Sequence, residues 1–200
     1  MIQRGEEIPL FPLSTVLFPG GLLPLRVFEA RYLDMIGECL REHKGFGICA
    51  IKSGTEVGQA ASCYAIGTLA LVEDFDAGED GLLSIVARGQ RRFRVLHSRT
   101  EPSQLLRANV DWLDDGDDAP LPEQHRQMAE FLAQLLQRAG EPFTRLPPDF
   151  DSSAWVAGRL AELLPFALGD KQRLLEMDTP LDRLEAIYGE LLAEELSHHR

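Results

Sequence analysis

Few residue groups in this 200-residue chain have the types and spacing that covalent chemistry needs. Lys52 is followed by Ser53, the residue types of a base and a nucleophile. Neighbours on an extended segment point to opposite faces, so their adjacency does not make a catalytic pair. The other lysines are Lys44 and Lys171, and no Gly-Lys dipeptide occurs, so the chain lacks the G-x-x-x-x-G-K-[ST] loop that cradles phosphates. It also lacks a G-x-S-x-G elbow and an H-E-x-x-H pair. "GFGICA", Gly45 to Ala50, satisfies the letters of a dinucleotide fingerprint. It follows a helical pattern and opens a strand-like one, the reverse of the context a dinucleotide site requires. Gly45 reads instead as the stop of the preceding helix, after Lys44.

Metal chemistry fares no better. "DWLDDGDDAPLPE" has the acid density of a calcium loop, but counted from Asp111 its third position is Leu113 and its twelfth is Pro122, so oxygen ligands are missing. It reads as a solvated linker. Counted from Asp76, "DFDAGEDG" fails in the same way, with Ala87 at the twelfth position. His198 and His199 are adjacent at the end without carboxylate support, and His43, His97 and His125 have no spacing partner and read as surface residues. Cys39, Cys49 and Cys63 form an odd set with no C-x-x-C pair, which fits small buried thiols in a reducing cytoplasm. No cofactor and no metal are expected. The most suggestive charged group is Arg26, Glu29 and Arg31. It either contacts a ligand carboxylate or peptide backbone, or fastens the first helix to the strands. The fastening role is favoured, because these residues sit among apolar neighbours where unpaired charge is costly.

The elements that must position such residues fall into two patterns. Hydrophobic residues make up 44% of the chain and charged ones 26%, an ordinary balance for a chain able to bury a core. The net charge of −12 works against phosphate contacts, and the one dense basic run, "RGQRRFR" from Arg88 to Arg94, reads as a strand with Arg92 and Arg94 on a solvated face opposite Phe93 and Val95. Nucleic acid is therefore not an expected partner. Up to about Leu113 the runs "GFGICAI", "IGTLALVEDF", "LLSIVARG", "RRFRVL" and "RANVDWL" are strand-like, with a hairpin loop over Asp76 to Gly81 and a tighter turn at "ARGQRR" around Gly89. One helix, Glu29 to Glu42, interrupts them. From Pro122 to Ala139 the period is helical, with Met128, Phe131, Leu132, Leu135, Leu136 and Ala139 in one stripe. A turn-rich link follows, then a helix capped at Ser152 or Ser153 and ended by Pro165, then a short helix near Asp170 to Met177. The last helix starts at "TPLD", with Thr179 and Asp182 as a capping pair, Pro180 at the first position, and Leu184, Ile187, Tyr188, Leu191 and Leu192 expected as its buried stripe.

The segment Ile8 to Tyr32, "IPLFPLSTVLFPGGLLPLRVFEARY", is mostly apolar yet carries Pro9, Pro12, Pro19 and Pro24 and Gly20-Gly21. A membrane span needs about 20 apolar residues with an intact hydrogen-bond ladder, and four prolines each remove a donor, so no membrane is expected as a partner. Glu6 and Glu7 precede the run where a secretory signal would be basic. This segment closely resembles the start of the Lon protease N-terminal, substrate-recognition domain. Pro12, Phe18-Pro19-Gly20, Pro24-Leu25-Arg26, Phe28-Glu29 and Arg31-Tyr32 follow that family's motif in order, and Phe46-Gly47, Gly67-Thr68, Gly89 with Arg92-Phe93-Arg94, "RLAELLPF" and "KQRLLEMDTPLDRLEAIYGEL" extend the likeness over nearly the whole chain. Ala30 departs from it, standing where the family often has proline.

The resemblance implies an α+β fold: a PUA-like β-barrel with one helix over residues 1–118, followed by a helical bundle subdomain over 119–200. It further implies a free-standing, non-enzymatic relative of the Lon substrate-binding domain, without that protease's ATPase and Ser-Lys peptidase modules, that binds unfolded or hydrophobic polypeptide segments. The alternatives are a small-molecule-binding barrel or an adaptor that docks on a separate protease or other partner protein. The candidate binding residues are Leu17, Phe18, Arg26, Phe28, Glu29, Arg31 and Tyr32. Phe11, Leu13, Val16, Leu17, Phe18, Leu22, Leu23 and Phe28 exceed what alternating burial in one small barrel requires. Either a covering helix buries both strand faces, or some of the eight stay exposed, in which case Leu17 and Phe18 are the expected contacts at a rim formed by the Pro19-Gly20-Gly21 turn.

Overall fold

The computed structural model describes residues 5–56, 62–78, 82–116 and 118–198, with side chains up to 193. The chain divides into two compact units, Met1–Asp114 and Asp115–Arg200. The first holds strands β1 (Glu6–Leu13), β2 (Leu22–Val27), β3 (Phe46–Ser53), β4 (Ser62–Cys63), β5 (Ile66–Ala77), β6 (Leu83–Thr100) and β7 (Leu106–Trp112), with helix α1 (Ala30–Glu42) between β2 and β3. β1 pairs antiparallel with β7 and parallel with β3, β7 pairs with β6, β6 with β5, and β5 with β3. Those pairings run from β1 round to β1 again, so five strands form a closed circuit that removes most of the edges a sheet would otherwise expose.

Strand β1 shows why so apolar a segment is needed. Ile8 and Leu10 join Cys49, Phe93, Leu106, Ala108 and Val110 inside the circuit, while Phe11 and Leu13 turn the other way, toward Tyr32, Met35, Ile36 and Cys39 of α1. Both faces are buried, so the usual apolar-polar alternation gives way to a continuous apolar run. Phe93 fills the interior only because Gly47 and Gly67 leave room: a Cβ would lie 2.6 Å from its ring at Gly47 and 2.8 Å at Gly67. α1 ends at Glu42, with His43 in the left-handed region (φ 52°) and Lys44 N–H donating to Cys39 O. Gly45 is therefore not the helix stop expected of it. It lies in close approach instead, since a Cβ there would stand 2.7 Å from Ala70 O.

Two further expectations are corrected in β6. No turn divides it at Gly89; it is one strand of 18 residues. Gly89 is present because the turn at Pro19-Gly20 docks on it: Gly20 N–H donates to Gly89 O and Gly89 N–H to Gly21 O, both at 2.9 Å, and a Cβ would stand 2.2 Å from Phe18 O. Arg92 is not on a solvated face; it is 1% exposed, because the chain after β7 folds over it. Leu113 N–H bonds Arg92 O, and the Arg92 guanidinium donates to Asp114 O at 2.9 Å. Arg94 is exposed. The expected hairpin loop over Asp76 to Gly81 lies in part outside the described residues, as do His199 and the side chain of His198.

The second unit contains α2 (Arg126–Ala139), α3 (Ser153–Leu163), α4 (Leu168–Glu176) and α5 (Pro180–His198). A 3-10 turn, Glu123–His125, replaces the first part of the expected helix from Pro122. Ser152 caps α3 by accepting from Trp155 N–H at 2.9 Å, and Thr179 and Asp182 form the reciprocal cap of α5, whose expected buried stripe holds at Leu184 and Ile187 while Tyr188 and Leu192 are exposed. The acidic stretch before α2 is less of a solvated linker than its composition suggests: Asp118 accepts from Ala154 N–H, Leu121 N–H donates to Asp151 O, and Leu121 is buried. His125 is not a surface residue. It is 1% exposed, with Nε2 2.7 Å from Glu185 Oε1 and its ring edge-on to Tyr188.

Candidate functional site

The seven residues singled out by sequence do not converge. Leu17 is 2% exposed and Phe18 0%, so the exposed rim expected of them is absent. The Pro19-Gly20-Gly21 turn that was to present them folds back onto β6 instead, and Leu17 O accepts a 2.5 Å hydrogen bond from the buried Thr68 hydroxyl. Glu29, Arg31 and Tyr32 form a clamp at the start of α1. Arg31 is buried, pairs with Glu29 at 2.9 Å, donates to Gln104 O at 2.8 Å, and stacks its guanidinium 4.6 Å from the Tyr32 ring centre. Tyr32 in turn stacks on Phe11 with ring centres 4.1 Å apart, and burial pushes its hydroxyl up to about 12. This clamp ties the helix to the loop before β7, and Arg26 is not part of it. Arg26 is exposed on β2 and makes no ion pair with the described residues, while Phe28, just past the end of β2, is 56% exposed.

Those last two residues belong to an arm outside the closed circuit. β2 pairs with the first half of β6 (Leu22↔Arg88 to Val27↔Leu83), and the same stretch of β6 pairs with the second half of β5 (Val72↔Ala87 to Ala77↔Leu83). The arm is thus a three-stranded ribbon in which β2 has a strand neighbour on one side only among the described residues. Its core face carries Leu23, Leu25 and Val27. Its outer face carries two cross-strand rows, Pro24, Val86 and Asp74 in one and Arg26, Ser84 and Asp76 in the next, around a concavity of about 410 Å³. Phe75, in register with Ile85 and Leu25, is 58% exposed. Sequence reading missed Phe75: an aromatic between Asp74 and Asp76 fits a half-buried strand, and its exposure follows from its place on β5 beyond the part that pairs with β3.

Other reactive groups are engaged or held back. Burial pushes the Cys39 and Cys63 thiols up to about 11 and Cys49 well above the ordinary range, which leaves them protonated and poorly nucleophilic at neutral pH. Burial also lowers Lys171, whose ammonium donates to Glu162 O at 2.6 Å near the end of α3. A second concavity, of about 430 Å³, lies beside Glu38, Glu42, Arg107 and Trp112. Its charges are largely paired, Arg107 with Glu38 and Glu101, and Lys44 with Glu42. No group of three or more possible metal ligands occurs among the described residues, and no described helix is long and apolar enough to cross a membrane. The arrangement therefore offers surfaces for binding, with no activated nucleophile among these groups.

Comparison with known proteins places these observations. The sequence profile of the ATP-dependent protease La (LON) substrate-binding domain matches residues 7–193. Lon protease 1 of Bdellovibrio bacteriovorus is 26% identical over 184 residues, and Lon protease 2 of Myxococcus xanthus is 28% identical over 180. The alignments cover 88% and 86% of this chain but only 23% and 22% of the two proteases. The crystal structure of a Lon N-terminal domain protein from Xanthomonas campestris is 40% identical, covers 92% of this chain and 98% of its own, and superposes with a TM-score of 0.76. The N-terminal domain of the Mycobacterium avium complex Lon protease, at 17% identity and a TM-score of 0.60, shares the fold.

Proposed function

Because the chain belongs to the LON substrate-binding domain family, we propose that it recognises unfolded or hydrophobic polypeptide segments, without catalysis of its own, and that the arm built from β2, β5 and β6 is the surface that does so. The observation that carries this reading is the exposure of Phe28 and Phe75, large aromatics on or beside the three-stranded ribbon that leaves the closed circuit. Exposed apolar groups on a ribbon edged with polar ones are what a client's apolar side chains bind: Phe28 continues the outer-face parity of Arg26, and Phe75 stands on the other face, in register with Leu25 and Ile85. The 200 residues contain no phosphate-binding loop, which supports a binding role, and three free thiols fit work in the cytoplasm.

Titrating a fluorescent unfolded polypeptide against the parent protein and against Phe28→Ser and Phe75→Ser tests the reading. Binding should be weak, tolerant of salt, and weakened in both variants while their folds are intact. Equal affinity in all three proteins removes the arm as the site. Turnover of ATP or casein by the purified chain, abolished by a single substitution within it, overturns the non-catalytic part.

A further inference from the structure

The arm also indicates how a polypeptide would lie on it, an inference that rests on the reading above. Gly21 O accepts from Gly89 N–H, and the register between β2 and β6 continues without a shift from Leu22↔Arg88 to Val27↔Leu83. Main-chain groups alternate sides along a strand. Residues of the same parity as Gly21, which are Leu23, Leu25 and Val27, therefore turn their N–H and C=O groups toward β6. Leu22, Pro24 and Arg26 turn theirs to the side where β2 has no strand neighbour. Pro24 fits this assignment, since a proline sits in a strand without loss only where its missing N–H faces away from the ladder. Leu22 is buried, so the open side of β2 offers carbonyls at the exposed Pro24 and Arg26 and an amide donor at Arg26, with no donor at the proline.

We propose that the open side of β2 receives an extended polypeptide segment as an added strand, and that the segment carries apolar side chains with an acidic one beside Arg26. The acidic preference follows from charge. A strand added next to β2 runs about 4.8 Å from it. Arg26, exposed and without an ion pair among the described residues, becomes the nearest charge, whereas Asp74 and Asp76 lie two strands further away on β5. Opposite charges directly across a strand pair are favourable and like charges unfavourable. A segment lying across the outer face of the arm, in the concavity itself, would instead meet Asp74 and Asp76 and prefer basic side chains.

Two fluorescent peptides, alternating leucine with glutamate and leucine with arginine, separate the two poses. Strand addition predicts tighter binding of the glutamate peptide, reversed by Arg26→Glu, an exposed substitution that leaves the core untouched. It also predicts that N-methylating one alternate set of amides in the glutamate peptide weakens binding by about tenfold, through several lost hydrogen bonds, while methylating the other set has little effect. The sensitive set reports whether the added strand is antiparallel or parallel. Preference for the arginine peptide, or equal effects of the two methyl sets, overturns strand addition. If the Phe28 and Phe75 variants still weaken binding in that case, the arm remains the site and only the pose is wrong. No binding of either peptide to the parent removes both the pose and the arm.

Discussion

Two neighbouring stretches of the first unit, Val16 to Phe18 and Pro24 to Phe28, share a composition and have opposite fates. Both are apolar and both adjoin a proline. Val16, Leu17 and Phe18 are all buried, whereas the second stretch alternates, with Pro24, Arg26 and Phe28 exposed and Val27 buried. What separates them is where their main chains are anchored. The first stretch runs into a turn bonded to both sides of Gly89, and Leu17 O is held by the Thr68 hydroxyl, so the backbone is fixed against the strands and its side chains have a core to enter. The second is bonded along one side only, on a ribbon that leaves the closed circuit. Hydrophobicity tells which residues can be buried; the partners of the backbone decide which ones are.

The comparison predicts that substitutions in the first stretch act on stability and those at the exposed Arg26 and Phe28 of the second act on binding. The largest effect is expected at Phe18→Ser, which removes a fully buried ring and leaves a hydroxyl in its place, at a cost of roughly 4 kcal/mol. Denaturant unfolding of the purified variant measures it, and a change below about 1 kcal/mol would break the distinction between the stretches. Gly89→Ala comes next. Its Cβ would meet the Phe18 carbonyl, a backbone atom that cannot swing aside, so the docked turn must lift from β6 at a cost of about 3 kcal/mol. A crystal structure of that variant should show the turn displaced and the five-strand circuit intact.

The helix clamp tests whether the charged residues among the candidates belong with the buried stretch. Glu29→Ala leaves the buried Arg31 guanidinium with Gln104 O as its remaining hydrogen-bond partner, at a cost of about 2 kcal/mol, below the range for fully buried pairs because Glu29 is partly exposed. A variant that melts like the parent yet loses peptide binding would move the clamp into the site. Tyr32 gives a smaller, pH-dependent signature. Burial raises its hydroxyl from 10 to about 12, so the unfolded chain releases this proton first, and the stability it contributes is complete below pH 10 and lost as the pH rises toward 12. Across that window the melting temperature of the parent should fall more steeply with pH than that of Tyr32→Phe, because the alkaline loss from Cys39 and Cys63, both raised to about 11, is common to the two proteins.

Much of the fold was legible because local and tertiary demands agree. The stripe of Met128, Leu132 and Leu136, the reciprocal cap of Thr179 and Asp182, and the alternation of Ala108 and Val110 each say the same thing as the packing. Errors arose where a residue answers to a distant segment. Gly89 and Gly45 read as turn and stop because glycine usually serves local conformation, whereas here each makes room for the backbone of another element. Arg92 and His125 read as surface residues, because composition does not show that the chain after β7 covers one or that Glu185 meets the other. Of the candidate site, Arg26 and Phe28 stand on the exposed arm, while Leu17, Phe18, Arg31 and Tyr32 are buried. Phe75 was missed because its exposure is set by its place on β5 beyond the part that pairs with β3, a limit that short-range pattern does not encode.

The smallest effect on stability is expected at Phe28 and Phe75, and it sharpens the comparison most. Each ring is more than half exposed, so replacing it with serine removes little buried surface and should change unfolding free energy by no more than about 0.5 kcal/mol. Exposed rings of this size nevertheless cost free energy in water, and a bound apolar segment would recover roughly 25 cal/mol for each Å² it covers. The double variant Phe28→Ser, Phe75→Ser should therefore melt with the parent and bind an unfolded polypeptide more weakly than either single variant. If the double variant instead loses stability, the rings are packing groups, and the arm belongs with the buried stretch. Separate losses that sum in the double variant would show that the two rings contact a client independently, and a larger combined loss would mean that one segment spans both.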